Sequence, residues 1–176
     1  MTDTRDFLLP AELVELARKV IDANRAAGRR VAVAESCTGG LVAAALTEIA
    51  GSSDVFEAGF VTYSNEAKSK LLHVSEDVIE TFGSVSVATA WAMAQGALAA
   101  SGADVAVALT GIAGPAGGSD KKPVGTVVFA RADRHADPRE IVADTQKFDD
   151  NGRGGIRFQA ALCALNLLLP GEAPAP

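Results

Sequence analysis

The stretch "RRVAVAESCTGGLVAAALTEIAG", residues 29–51, decides the fold class. "RRVAVAES" is typical of a short strand, and "LVAAALTEIAG" is typical of a helix closed by Gly51. The polar segment "ESCTGG" lies between them. A strand that passes directly into a helix is the repeating unit of α/β proteins, so this stretch predicts parallel pairing with the next strand.

The rest of the chain extends that pattern in both directions. "PAELVELARKVIDANRAAG" and "GGIRFQAALCALNLLL" predict the first and last helices, and Asn65, Ser75 and Ser86 are candidate N-caps of three more. Further strands are predicted at "AGFVTYS", "ADVAVALTG", "KKPVGTVVFARAD" and "REIVADTQKFD". Shorter connections between the last three strands favour antiparallel pairing there. We therefore predict a three-layer α/β/α fold, in which helices cover both faces of a mixed, roughly five-stranded sheet.

Length and composition limit the functional classes. The 176 residues predict one domain over 1–176, with a frayed tail over 170–176. The formal net charge of −6 argues against a nucleic-acid surface. No apolar run is long enough to span a membrane and the N-terminus lacks a signal core, so we expect a cytoplasmic protein. Cys37 and Cys163 have no metal-site spacing, and Cys163 lies in an apolar run that predicts core; we expect no metal and no cofactor.

Three polar loops are expected near the carboxyl ends of strands, where α/β folds bind ligands. In the first, "ESCTGG", Gly39 and Gly40 open a helix whose free N–H groups suit an anion such as phosphate. A plain turn in which Ser36 or Thr38 caps the helix is the alternative. Cys37 is a further candidate nucleophile, although no histidine lies nearby in the sequence to serve as its base.

The second loop region, "GSSDVFEAGFVTYSNEAK", carries Ser53, Tyr63 and Lys68. A serine hydroxyl becomes nucleophilic when a base takes its proton, and a desolvated lysine can be that base. Ser53 and Lys68 would form such a pair if both segments meet at one end of the sheet. The alternative is an exposed Lys68 on a helix surface and a serine that caps a turn.

The third loop, "LTGIAGPAGGSDKKPVGT", has five glycines over Leu109–Thr126. Its backbone amides are candidates to cradle a phosphate or an oxyanion, and Gly111 and Gly114 belong to this set. Thr110 lies at a strand end, where its hydroxyl would face the site. A mobile hairpin connection is the alternative.

Taken together, these segments resemble the CinA C-terminal domain family, whose enzymatic members are nicotinamide mononucleotide deamidases. The matching pieces are "AESCTGG", "ALTEIAGSSDVFEAGFVTYSNEAKSKLL", "GSVS", "ALTGIAGPAGGSDKKPVGTVVFA" and the last helix, which follow the family's order over nearly the whole chain. The resemblance implies hydrolysis of the carboxamide of nicotinamide mononucleotide, a small-molecule nucleotide, in NAD recycling. It also implies a metal-free Ser/Lys mechanism.

Carried over by position, the resemblance makes Ser53 the nucleophile and Lys68 its base, with Ser36 as the rival nucleophile. Tyr63 and Thr110 would assist them. Arg153, in "DNGRGGIR", would contact the phosphate, unless it is an ordinary surface residue at a helix start. The substrate site would be lined by Ser36, Thr38, Gly39, Gly40, Gly111 and Gly114.

Two other functional classes remain open at this point. One is a non-catalytic nucleotide-binding or regulatory module, and the other is an amidase that acts on a related substrate. The alanine-rich helix "VATAWAMAQGALAA" is either core or an interface. We expect a homodimer.

Overall fold

A computed structural model describes residues 7–137, 139–149 and 151–171. Most of the predicted frayed tail, residues 172–176, therefore lies outside the described part. The elements in chain order are α1 (Ala11–Ala26), β1 (Val31–Glu35), α2 (Leu41–Thr47), a short 3₁₀ helix (Ser52–Asp54), β2 (Phe56–Val61), α3 (Asn65–Leu72), α4 (Glu76–Phe82), α5 (Val87–Ala100), β3 (Val105–Gly111), β4 (Thr126–Asp133), β5 (Val142–Lys147) and α6 (Gly152–Leu167).

The strands form one five-stranded sheet in the order β2-β1-β3-β4-β5. β1 lies parallel to both β2 and β3, whereas β4 is antiparallel to β3 and to β5. The predicted mixed sheet is thus confirmed. Because β1, β2 and β3 run in one direction, the loops that follow them meet at one edge of the sheet, which we call the carboxyl edge.

Helices cover both faces of this sheet, as predicted. Alternate side chains of β1 lie on opposite faces of the sheet. Val31 and Val33 belong to the core that includes α1, α2 and α6, whereas Ala32 and Ala34 belong to the core that includes α5. Small side chains on the second face let the helices pack closely. A Cβ at Gly96 of α5 would lie 2.1 Å from the carbonyl oxygen of Leu72 at the end of α3, so only glycine fits there.

Several local predictions needed correction. Ser64, not Asn65, caps α3, because its hydroxyl accepts the N–H of Ala67 at 3.0 Å and Asn65 is already helical. Ser86 caps α5 as predicted, whereas Ser75 precedes α4 without a side-chain capping bond. Cys163, expected in the core, is only half-buried.

Other differences concern element ends. α2 ends at Thr47, and Gly51 is instead the N-cap of the 3₁₀ helix, with a φ of 77°. β2 ends at Val61, which leaves Tyr63 in the loop before α3. The alanine-rich helix α5 packs on the sheet through Ala90, Met93, Ala94, Ala97 and Leu98, so that face belongs to the core. Within the described ranges, no helix has the length and apolarity needed to cross a membrane.

Candidate active site

Lys68 and Ser36 meet at the carboxyl edge of the sheet. The Nζ of Lys68 lies 3.2 Å from the Oγ of Ser36, within hydrogen-bonding distance. Ser36 directly follows β1, and Lys68 lies in the first turns of α3, the helix that follows β2. The parallel pairing of β1 and β2 therefore brings together two residues that are 32 positions apart in the sequence.

The amine of Lys68 is buried and is held by backbone carbonyls. Only 1% of Lys68 is exposed, and Nζ donates to the carbonyl oxygens of Thr62 at 2.9 Å and Tyr63 at 3.3 Å. Burial lowers the pKa of Lys68 below its ordinary value, because desolvation disfavours the ammonium. A neutral amine would use its two hydrogens on these carbonyls and would point its lone pair toward the hydroxyl of Ser36. This is the arrangement that a general base requires.

Backbone hydrogen bonds fix the positions of both residues. The N–H of Thr62 donates to the carbonyl of Glu35 at 2.8 Å, and the N–H of Ser36 donates to the carbonyl of Leu109 at 3.1 Å. The same peptide segment that holds Lys68 is thereby tied to the residue before Ser36. The Ser64 cap sets where α3 begins and thus where Lys68 points. The pair is part of the sheet framework and does not depend on a flexible loop.

The turn Ser36–Gly40 is held from inside by the carboxylate of Glu35. This fully buried side chain accepts the N–H groups of Gly40 at 3.0 Å, Val42 at 3.2 Å and Ala43 at 2.8 Å. The protein's own carboxylate thus occupies the N-terminus of α2, the position predicted to attract phosphate through Gly39 and Gly40. The structure contradicts that assignment, because a second anion would be repelled there and would find these donors already used.

Arg157 of α6 holds the same turn from outside. Its guanidinium donates to the carbonyl of Cys37 at 3.2 Å and to the carbonyl of Thr38 at 2.8 Å. Gly39 lies against this guanidinium, with a φ of 62° that favours glycine. These contacts fix the orientation of the peptide groups that follow Ser36. Gly39 therefore serves the turn's geometry, and no cavity described below is lined by it.

Two adjoining cavities open from the Ser36–Lys68 pair. The smaller, about 210 Å³, is lined by Ser36, Cys37 and Lys68 and by Asn65 and Thr110. The larger, about 410 Å³, extends along the glycine-rich loop and the segment 83–85 that follows α4. Both are lined by Tyr63, Ser84, Val85, Gly111, Ala113 and Arg153. The predicted residues Ser36, Lys68, Tyr63, Thr110, Gly111 and Arg153 are thus brought together here, and Gly114 lines the larger cavity.

Arg153 connects the walls of this space. Its guanidinium donates to the carbonyl of Gly114 at 2.8 Å and to the hydroxyl oxygen of Tyr63 at 2.8 Å. Tyr63 itself is 60% exposed and makes no hydrogen bond to the amine of Lys68 through its ring hydroxyl. Thr110, which is buried, donates its hydroxyl hydrogen to the carbonyl of Ser84 at 2.8 Å. Thr110 therefore also holds the segment between α4 and α5 in place.

Ser53 does not meet Lys68. Ser53 lies in the 3₁₀ helix before β2, whereas Lys68 lies after that strand. The six residues of β2 separate the two positions by roughly 20 Å, at ~3.3 Å per residue. Ser53 is exposed, and its carbonyl accepts a hydrogen bond from Arg30 at 3.4 Å. The predicted Ser53–Lys68 contact is wrong, because the two segments leave opposite edges of the sheet.

Cys37 and Thr38 follow Ser36 but differ from it chemically. Cys37 is buried, and burial raises the pKa of its thiol to about 11, which outweighs the lowering by its own backbone hydrogen bond. At neutral pH the thiol is protonated, which disfavours Cys37 as a nucleophile. Thr38 is fully buried and lines neither cavity, so its predicted contact with substrate is not supported.

The sequence reasoning missed four residues around the site. Glu35 and Arg157 hold the turn Ser36–Gly40, Ser84 lines both cavities, and Lys122 lines the larger one. Glu35 offered a signal, since a carboxylate at the end of an apolar strand is costly to bury unless it accepts hydrogen bonds. The others become neighbours through contacts between distant segments, which no local pattern reveals.

Comparisons with known proteins identify the family. The model of the family described as "CinA C-terminal domain" matches residues 13–170. The chain is 52% identical to the nicotinamide-nucleotide amidohydrolase PncC of Enterobacter agglomerans, over 89% of this chain and 93% of that protein. It is 48% identical to the nicotinamide-nucleotide amidohydrolase PncC of Escherichia coli K12, over 90% and 93% of the two chains.

A solved structure has the same fold as this chain. The competence/damage inducible protein of Agrobacterium tumefaciens superposes with a TM-score of 0.87 at 49% sequence identity. The match covers 92% of this chain and 96% of that one. The layered architecture is therefore that of a known group of structures.

Proposed function

Because the chain belongs to the CinA C-terminal domain family, we propose that it is a nicotinamide-nucleotide amidohydrolase in which Ser36 is the nucleophile and Lys68 its base. The reaction is hydrolysis of the carboxamide of nicotinamide mononucleotide to nicotinic acid mononucleotide and ammonia, a step of NAD recycling. One observation carries the assignment of roles: the 3.2 Å approach of Lys68 Nζ to Ser36 Oγ at the wall of an open cavity.

The first half of the reaction is acyl transfer to Ser36. Lys68 takes the hydroxyl proton as Oγ bonds to the carboxamide carbon, and the carbonyl oxygen becomes an oxyanion. Collapse of this intermediate breaks the C–N bond, and Lys68 returns the proton to the departing nitrogen, which leaves as ammonia. The carbonyls of Thr62 and Tyr63 stabilise the ammonium of Lys68 while it carries that proton.

The second half regenerates the enzyme. Lys68 takes a proton from a water molecule as the water oxygen attacks the Ser36 ester. The ester bond to Oγ then breaks, the proton returns to Oγ, and the pyridine carboxylic acid is released and loses its own proton to solvent. The base must be neutral at the start of each half, which the lowered pKa of Lys68 favours.

The oxyanion needs hydrogen-bond donors that are already oriented. The backbone N–H of Cys37, the residue after the nucleophile, is our candidate, as in other enzymes with a nucleophile on a strand-to-helix turn. Arg157 and Glu35 support this role, because they fix the peptide groups of the turn from two sides. Neither side chain needs to touch the substrate for this purpose.

The geometry also bears on the alternatives. A binding module has no need of a buried lysine with a lowered pKa beside a serine, which favours the enzyme. A related amide substrate remains open to test with the same assay. Cytoplasmic location and a homodimer stay predictions, and light scattering at micromolar concentration that gave only the monomer mass would contradict the dimer.

The decisive experiment compares two serine variants. We expect wild type to release ammonia and nicotinic acid mononucleotide in a 1:1 ratio, and Ser36→Ala to lose at least about a thousandfold in kcat. Ser53→Ala should stay within about twofold of wild type, because Ser53 lies at the other edge of the sheet. An active Ser36→Ala protein would overturn the role of Ser36, and a folded wild type without ammonia release would overturn the function itself.

A further inference from the structure

The larger cavity has a charge pattern that the reaction at Ser36 does not explain. Its described lining contains two charged side chains, Lys122 and Arg153, and both are cations. No described carboxylate lines it, although the chain as a whole carries a net charge of −6. A locally positive cavity in an acidic protein indicates an anionic ligand.

We propose that Lys122 and Arg153 bind the phosphate of the substrate in this larger cavity, with Lys122 as the residue that distinguishes a nucleotide from a nucleoside. The proposal rests on the proposed function, since it places the second end of the same substrate. The two cavities share Tyr63, Ser84 and Arg153 in their walls. A substrate with its carboxamide at Ser36 therefore has a continuous path to Lys122.

Lys122 is held in position before any ligand arrives. Its ammonium donates to the carbonyl of Phe82, at the end of α4, at 3.0 Å. Its backbone is fixed by a reciprocal pair with Ser119: the N–H of Lys122 donates to the hydroxyl oxygen at 3.1 Å, and the N–H of Ser119 donates to the Lys122 carbonyl at 2.9 Å. The bond to Phe82 uses one of the three ammonium hydrogens, and the other two are available to phosphate oxygens.

Arg153 offers a second cation in the lining of the same cavity. Its two hydrogen bonds, to Gly114 and to Tyr63, orient the guanidinium toward the space between the loop and α3. A guanidinium and an ammonium that line one cavity suit a dianion that contacts both. The rival location at the N-terminus of α2 is closed, because Glu35 accepts the N–H groups there.

The test compares two substrates that share the carboxamide but differ in the phosphate. We expect Lys122→Met to lower kcat/KM for nicotinamide mononucleotide by about 10- to 100-fold, mainly through KM, since hydrogen bonds to charged groups are the strong ones. Hydrolysis of the nucleoside, nicotinamide riboside, should be unchanged by Lys122→Met. Lys121→Met is the matched control, because Lys121 is exposed, lies next in sequence and is not part of the cavity lining, so neither substrate should respond.

A binding measurement keeps the proposal separate from the proposed function. Calorimetry with ribose 5-phosphate should show binding to wild type and to Lys121→Met, and binding weakened by about 10-fold or more for Lys122→Met. Equal losses on nucleotide and nucleoside would overturn the proposal while leaving the amidohydrolase intact. A wild type that binds ribose 5-phosphate through Lys122 but releases no ammonia would uphold the phosphate site and overturn the activity. Absence of binding to wild type would overturn the phosphate site.

Discussion

Two serine-bearing turns lie at opposite edges of the parallel strands, and they differ in burial, charge and partners. Ser36, at the carboxyl edge, is 7% exposed and contacts the desolvated amine of Lys68. Ser53, at the amino edge, is exposed and lies among arginines: Arg30 donates to its carbonyl, and Arg25 pairs with the neighbouring Asp54 at 3.6 Å.

The difference shows why a serine and a cation are not enough to make a nucleophile. A guanidinium has no lone pair to offer and stays protonated, so Arg25 and Arg30 cannot take a proton from Ser53. A lysine amine can do so when burial lowers its pKa, and only the carboxyl edge provides that burial. The direction of the strands therefore decides which of the two turns can carry the chemistry.

The strongest test of the difference between the two turns is removal of the proposed base, Lys68. Lys68→Met should lower kcat/KM for nicotinamide mononucleotide by about 10²- to 10⁴-fold, the usual range for a general base. Lys70→Met is the control on the same helix, since Lys70 is exposed and pairs with Glu66 at 2.6 Å; its effect should stay within about twofold. Both proteins are assayed for ammonia release after their helical content is checked by circular dichroism. A folded Lys68→Met protein with near-normal activity would remove the distinction between the two turns.

A second test asks whether the carboxyl-edge turn depends on its buried carboxylate. The carboxylate of Glu35 accepts three backbone N–H groups. In Glu35→Gln one of the two oxygens becomes an NH₂ group, which would face these donors instead of accepting from them. We therefore expect a loss of about 2–3 kcal/mol in the free energy of unfolding. Asp54→Asn, the matched change at the amino-edge turn, should cost less than about 0.5 kcal/mol, because that carboxylate is largely exposed. Urea unfolding of both variants measures this, and equal small losses would show that Glu35 is not a support of the turn.

Much of this architecture could be predicted from the sequence, because it rests on local patterns. The alternation of strands and helices gave the parallel pairing, and the short connections late in the chain gave the antiparallel part. The residue types also made Lys68 a candidate base, and its burial beside Ser36 fits that prediction. What failed was the pairing of Lys68 with Ser53, although a usable signal was present: Ser36 follows a strand, whereas Ser53 precedes one. Ligands in α/β sheets gather at carboxyl ends, so the rule itself favoured Ser36.

Other parts of the site had no local signal. Arg157 contacts Cys37 across 120 residues of sequence, and Lys122 reaches Phe82 across 40. Such contacts depend on how α6 and the glycine-rich loop pack against the sheet, which side-chain periodicity does not encode. The sequence left two loops open for the phosphate, and it could not show that Glu35 turns back to occupy the position at Gly40 in the first of them.

The smallest expected effect concerns stability, and it tests the burial of Lys68 independently of activity. The pKa of Lys68 is lowered in the folded protein. The unfolded chain therefore binds more protons than the folded protein does at pH values between the folded pKa and the ordinary value near ~10.5. Stability must rise with pH across that window and fall as pH drops through the folded pKa, where the ammonium is buried at full cost. Lys68→Met lacks this contribution, so the free energy of unfolding of wild type minus that of the variant should increase as the pH rises toward the ordinary lysine pKa.

Urea unfolding at several pH values measures this difference, and the other titrating groups cancel because both proteins share them. The lost hydrogen bonds to Thr62 and Tyr63 shift the difference by a constant and leave its slope unchanged. Lys70→Met is measured beside it as a control for the removal of an exposed lysine from the same helix. A wild-type curve parallel to that of Lys68→Met would mean that Lys68 titrates as it does in water, and its amine would then be as fully protonated at neutral pH as that of any surface lysine.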